Sequence, residues 1–139
     1  MKFNPELKVY GDLKFRGKCP KEEIEQITFF NQLKRLYPDV AELATHTNNE
    51  GRKSIGKAVK DARNGLNQGI ADIIIIDRIP CLIEMKRQNH TLSKWQDNQE
   101  RKLILAQEKG AFACVALGYK AALEAVEEWQ KCIKAMKNG

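Results

Sequence analysis

Long apolar stretches are missing from this chain of 139 residues. No run of about eighteen apolar positions occurs, so no membrane-spanning helix is expected. The N-terminus, Met1-Lys2-Phe3-Asn4-Pro5, has no signal-peptide core, which argues against secretion and for a cytoplasmic protein. Cysteine and histidine are scarce. Cys19, Cys81, Cys114 and Cys132 lie far apart, with no Cys-x-x-Cys and no histidine at zinc-ligand spacing, so they read as reduced thiols and a structural zinc site is not expected. His46 and His90 have no cysteine or serine nucleophile to activate, which argues against histidine general-base catalysis. Internal repeats and low-complexity linkers are also absent. Residues 1–20 are turn-rich (Asn4-Pro5, Gly11-Asp12, Gly17, Pro20) and read as an N-terminal arm or an extended segment against the body. Residues 21–139 read as a single domain.

What is present is positive charge and a patterned set of elements. The net charge of +6 favours a polyanionic partner, since cations gain affinity by releasing counterions from phosphates. Pro20 followed by Lys21-Glu22-Glu23 is a helix start, and the helix should run to Tyr37 before Pro38, with Ile27, Phe30, Leu33 and Tyr37 on its buried face. Val40 to Thr47 fits a short strand, and Lys53 to Asn64 a helix closed by Gly65. Two strands follow, Ile70 to Asp77 and Cys81 to Lys86, joined by Arg78-Ile79-Pro80 and therefore antiparallel. Ser93 is a plausible cap for a helix from Lys94 to Lys109. Ala111 to Gly118 reads as a strand parallel to its predecessor, and Ala121 to Met136 as a last amphipathic helix carrying Leu123, Val126, Trp129 and Ile133. Trp95 and Trp129 stand at core spacing and read as packing residues. The order predicts an α/β fold, a mixed central sheet flanked by helices.

Charge breaks this apolar pattern at one place. Five of the nine residues Gly69 to Asp77 are isoleucine, so that strand reads as buried on both faces. Its neighbour should be buried too, yet it carries Glu84 and Lys86, which period two puts on one face. A Glu-x-Lys pair on a strand is more often a solvated face. Here it lies in the apolar half of the chain, and Asp72 opens the preceding strand. Buried charges cost several kcal/mol unless partnered, and Asp and Glu oxygens are hard ligands for Mg²⁺ or Mn²⁺. Asp72, Glu84 and the Met85 backbone carbonyl are thus candidate metal ligands, with Lys86 orienting water or holding a phosphate: the pattern of a metal-dependent nuclease site.

Glu22, Glu23 and Glu25 begin the first helix. At about 100° per residue Glu23 falls between Ile27 and Phe30, at the edge of the expected buried face, and is the acid expected to reach the sheet; Glu25 projects farther away. Lys53, Lys57 and Lys60 share one helix face, flanked by Arg52 and Arg63. That face is either solvated or phosphate-binding, and its place just upstream of Asp72 favours the second. Arg87, Lys94, Arg101 and Lys102 add positive charge beyond Lys86.

Taken together, Glu23-Ile24-Glu25-Gln26, Asn49-Glu50-Gly51-Arg52, Gly69-Ile70-Ala71-Asp72, Glu84-Met85-Lys86 and Ser93-Lys94-Trp95-Gln96 resemble the VRR-NUC group of the PD-(D/E)XK nucleases, over most of residues 22 to 118. The resemblance implies a restriction-endonuclease-like core with Asp72, Glu84 and Lys86 as catalytic trio, Glu23 as helix-borne acid at the metal and Gln96 as supporting polar residue. It also implies Mg²⁺ or Mn²⁺ as cofactor and a homodimer cutting branched DNA in a bacterial or phage-infected cell. Ala71 departs from the proline usual in that group. The rival expectations are a basic DNA-binding accessory module that does not cut, and a nuclease acting on RNA.

Overall fold

The computed structural model describes residues 1–47 and 54–138. Its framework is a five-stranded sheet in the order β1-β5-β4-β3-β2. The strands are β1 (Lys8–Tyr10), β2 (Ala44–His46), β3 (Ile73–Ile75), β4 (Cys81–Lys86) and β5 (Phe112–Leu117). As the connections require, β3 pairs with β4 antiparallel and β5 with β4 parallel. The extended segment near the N-terminus enters the sheet as β1, parallel to β5.

The helices are α1 (Glu22–Leu36), α2 (Pro38–Glu42), α3 (Ile55–Arg63), α4 (Gln99–Glu108) and α5 (Tyr119–Asn138). Period-two alternation along β4 divides the core in two. Cys81, Ile83 and Met85 join Phe29 and Leu33 of α1 and Val126, Trp129 and Ile133 of α5 in one cluster. Leu82, on the opposite face, joins Leu103 of α4, Val115 and Leu117 in the other. All six β4 residues are buried, so Glu84 and Lys86 emerge inside the molecule, on the α4 side.

Local readings shift where packing or turn chemistry prevailed. The segment expected as one strand from Val40 begins as α2, with Pro38 supplying the preset φ of a first helical position, and only Ala44–His46 reaches the sheet. The isoleucine-rich strand is ordered by pairing only over Ile73–Ile75, leaving Ile76 exposed. α4 starts at Gln99 rather than Lys94, because Ser93 spends its hydroxyl on the Arg87 N–H and the Glu22 carboxylate instead of capping a helix.

The buried face of α1 is also rotated from the expected one. Phe29 and Leu33 are inside, whereas Ile27 is half exposed. Extending that four-residue ridge backwards reaches Glu25, whose carboxylate is buried and accepts a hydrogen bond from Gln88 Nε2 at 3.2 Å. Gly118 makes room for it: a β-carbon there would sit 2.4 Å from Glu25 Oε2, and the residue has φ +94°, which favours glycine. Among the described residues, no helix is long and apolar enough to cross a membrane.

Candidate functional site

The β3–β4 register pairs Ile73 with Ile83, so one step outward sets Asp72 across from Glu84 on the same face. Both carboxylates are buried, as is the ammonium of Lys86 two residues along β4. The backbone entering β3 is held from the neighbouring strand's end: Thr47 N donates to Asp72 O at 2.7 Å and Thr47 Oγ1 to Ala71 O at 2.9 Å. This clamp holds the turn that carries Ala71.

Each charged group has a defined set of partners. Asp72 Oδ2 accepts from the Met85 N–H at 3.1 Å. Glu84 Oε2 accepts from Gln99 Nε2 at 3.0 Å and lies 3.5 Å from Lys86 Nζ. Lys86 Nζ donates to Lys94 O at 2.8 Å and Gln99 Oε1 at 3.1 Å, and lies 3.9 Å from Glu22 Oε1. It also stands 5.3 Å from the centroid of the Trp95 ring, a cation–π contact. Glu84 Oε1, fully buried, has no hydrogen-bond partner among the described residues unless one carboxyl of the pair holds a proton.

Two buried acids against one buried amine leave negative charge uncompensated. Burial is the main cause that pushes the Glu84 carboxyl well above its ordinary range; the Asp72 charge adds to it and Lys86 opposes it. Asp72 is raised as well, by burial first, with Glu84, Lys86 and the Met85 N–H opposing. Glu22 is raised by burial against the attraction of Lys86. A hard divalent cation would relieve this repulsion, and the unpartnered Glu84 oxygen is the donor such an ion takes. No three His, Cys, Asp or Glu side chains converge among the described residues. Mg²⁺ commonly uses only one or two carboxylates and keeps waters, so the donor set suits it.

The trio opens into a cleft of about 630 Å³ whose walls include Lys21, Glu22, Gln68, Arg87 and Leu92. Gly69, at φ +86°, lets this wall close: a β-carbon there would stand 2.7 Å from Asp97 O.

Not every candidate side chain converges. Glu23 lines the cleft but is exposed, and Glu22, one position earlier, is the helix acid that approaches Lys86. Glu22 lies on the ridge with Glu25 and Phe29, so the rotation of α1 explains the change. Gln96 likewise lines the cleft and is exposed, and its backbone N–H donates to Gln99 Oε1 at 2.8 Å. Gln99 is the buried amide that bridges Glu84 and Lys86. Both glutamines fall on the face of Leu103 by helical spacing, and the true helix start selects Gln99; Asp97-Asn98, a turn-forming pair, was the available signal.

Arg87 lines the cleft, with Nε and Nη2 donating to Pro20 O and Cys19 O of the N-terminal segment. Lys57 and Lys60 are exposed on α3, where Lys57 pairs with Asp61 at 3.5 Å. Arg52, Lys53 and the Asn49-Glu50-Gly51 turn lie outside the described residues. Trp129 is a packing residue, its Nε1 donating to Ile79 O.

No protein-family model and no curated protein matches this sequence. Among solved structures, the chain matches a VRR_NUC domain protein with TM-score 0.67 at 22% identity, covering 84% of this chain and 92% of the other. The chain has the fold of that protein, and the α/β core expected from its residues is the one observed.

Proposed function

We propose that the chain is a Mg²⁺- or Mn²⁺-dependent DNA endonuclease that hydrolyses phosphodiester bonds. The observation that carries this reading is the buried pair Asp72 and Glu84, in register on adjacent strands, with one unpartnered carboxylate oxygen and Lys86 alongside.

Asp72, Glu84 and the Met85 carbonyl would hold the ion. Bound there, Mg²⁺ or Mn²⁺ supplies Lewis acidity at the scissile phosphate and lowers the pKa of water. The chain's own residues do the positioning. Lys94 O and Gln99 Oε1 take two of the three ammonium protons of Lys86, leaving one N–H to orient the attacking water or a phosphate oxygen. Gln99 also fixes the rotamer of Glu84 by donating to Oε2. Glu22, at the cleft wall beside Lys86, takes the helix-acid role that Glu23 was expected to fill. Lys57 and Lys60 of α3, with Arg52, Lys53 and Arg87, are the proposed phosphate contacts. Branched DNA as substrate, a homodimer with paired sites, a cytoplasmic setting and a catalytic domain over residues 21–139 complete the proposal.

The test is cleavage of linear, flapped and four-way DNA with Mg²⁺, Mn²⁺ or EDTA. Cutting with either metal and none in EDTA is expected, and Asp72→Ala should abolish it while folding and DNA binding persist. Binding indifferent to metal with no nicking of any substrate would instead identify a non-cutting DNA-binding module.

A further inference from the structure

Helix α3 is amphipathic, with its apolar stripe turned outward. Ile55 and Val59, one helical turn apart, are 86% and 48% exposed, and Ala58 and Ala62 extend their stripe. Every α3 residue except Asp61 is exposed. Residues 48–53, which lead into it, are Asn, Asn, Glu, Gly, Arg and Lys, so they bring no apolar side chain to cover the stripe.

The same nine residues carry Lys57, Lys60 and Arg63 against one acid, Asp61, which pairs with Lys57. The helix ends at Arg63, and the chain runs on through Gly65 and Leu66 to Gln68 and Gly69, which line the catalytic cleft, while Lys102 ties Asn67 and Gln68 to α4. A surface that joins an aliphatic stripe to flanking cations needs a partner offering apolar area beside negative charge. Two copies of α3 placed face to face would oppose like charges. A regular duplex presents phosphates but keeps its base faces stacked. DNA with unpaired bases offers both within one nucleotide.

We infer that α3, joined to the cleft wall by residues 64–69, is a reader of unpaired bases: Ile55 and Val59 pack on exposed base faces while Arg63 and Lys60, on the side next to Val59, hold the adjoining phosphates. This rests on the nuclease reading for its partner, but binding tests it without cleavage. Affinity is measured by fluorescence anisotropy, with Ca²⁺ in place of Mg²⁺, for a duplex and for the same duplex interrupted by a single-stranded gap.

Ile55→Ser with Val59→Ser should weaken gapped-DNA binding about tenfold, the equivalent of roughly one aliphatic side chain left unburied, and leave duplex binding unchanged. Ile55→Leu with Val59→Ile should retain the preference. Lys60→Ala with Arg63→Ala should weaken both probes and lower the salt slope by about one per cation. Equal loss on both probes, or no loss on either, with the serine variant overturns the inference and leaves the nuclease reading standing. Wild-type protein that binds neither probe defeats both. A serine variant that turns a dimer into a monomer in sedimentation, or that abolishes binding to anionic lipid vesicles, gives the stripe another occupant and also overturns it.

Discussion

Replacing Glu84 with glutamine should stabilise the metal-free protein while destroying its activity. In the wild type, Glu84 is buried with one oxygen unpartnered and a second carboxylate opposite. A glutamine of the same shape keeps an acceptor for Gln99 Nε2 and turns its NH₂ toward Asp72. Relieving one unsatisfied buried acceptor is worth about 1–3 kcal/mol. The lost attraction to Lys86, 3.5 Å away, is offset by the lost repulsion from Asp72 and by desolvation no longer required. The ammonium also keeps Lys94 O and Gln99 Oε1. A net gain of about 1–3 kcal/mol should raise Tm by about 3–9 °C for a chain of this size.

The sign of the pH dependence follows from the raised pKa. A carboxyl that binds its proton more tightly when folded makes the native state lose stability as pH climbs from the unfolded value, about 4.3, through the higher folded one. The advantage of Glu84→Gln should therefore be small in acid, widen with pH and level off above the folded pKa. Thermal melts in EDTA across that range measure it. Added Mg²⁺ should then stabilise the wild type and not the variant. A variant no more stable than wild type at about pH 8 in EDTA, or a gap that does not widen with pH, would refute this account of the site.

Three further outcomes are expected. Gln99→Leu should lower single-turnover cleavage by about 10–100-fold because Glu84 and Lys86 both lose a positioning partner, whereas Gln96→Ala should leave the rate near wild type; equal effects would contradict the bridging role. Trp95→Leu removes the ring face beneath the Lys86 ammonium and should slow the chemical step by about tenfold with little change in DNA affinity, measured as kcat against KM. Gly118→Ala adds a β-carbon in contact with the buried Glu25 carboxylate at positive φ and should cost about 1–3 kcal/mol in denaturant melts; a neutral result would mean that α1 can shift away.

Most element types, the stretch around Val40 excepted, and the trio's burial were readable because they depend on local pattern. Alternation along Cys81–Lys86 places Glu84 and Lys86 on one face wherever that strand lies, and the short link after the isoleucine run makes the pairing antiparallel. With the pairing so limited, Asp72 could hardly fall anywhere but opposite Glu84. The identities of the supporting residues were not readable in this way. Glu22 against Glu23, and Gln99 against Gln96, differ by a rotation of α1 and by the start of α4. Ser93 could have capped a helix, but its hydroxyl is engaged by the Arg87 N–H, just past β4, and by Glu22 of α1, far away in sequence.

From residue order alone came the α/β class, the mixed sheet and the pair of acids beside an amine, since side-chain period and turn length are properties of neighbouring residues. Tertiary packing alone decided which face of α1 turns inward, which glutamine bridges the charges and that no described residue covers the α3 stripe. Those outcomes depend on contacts between segments far apart along the chain, and their energies enter only when the layers come together.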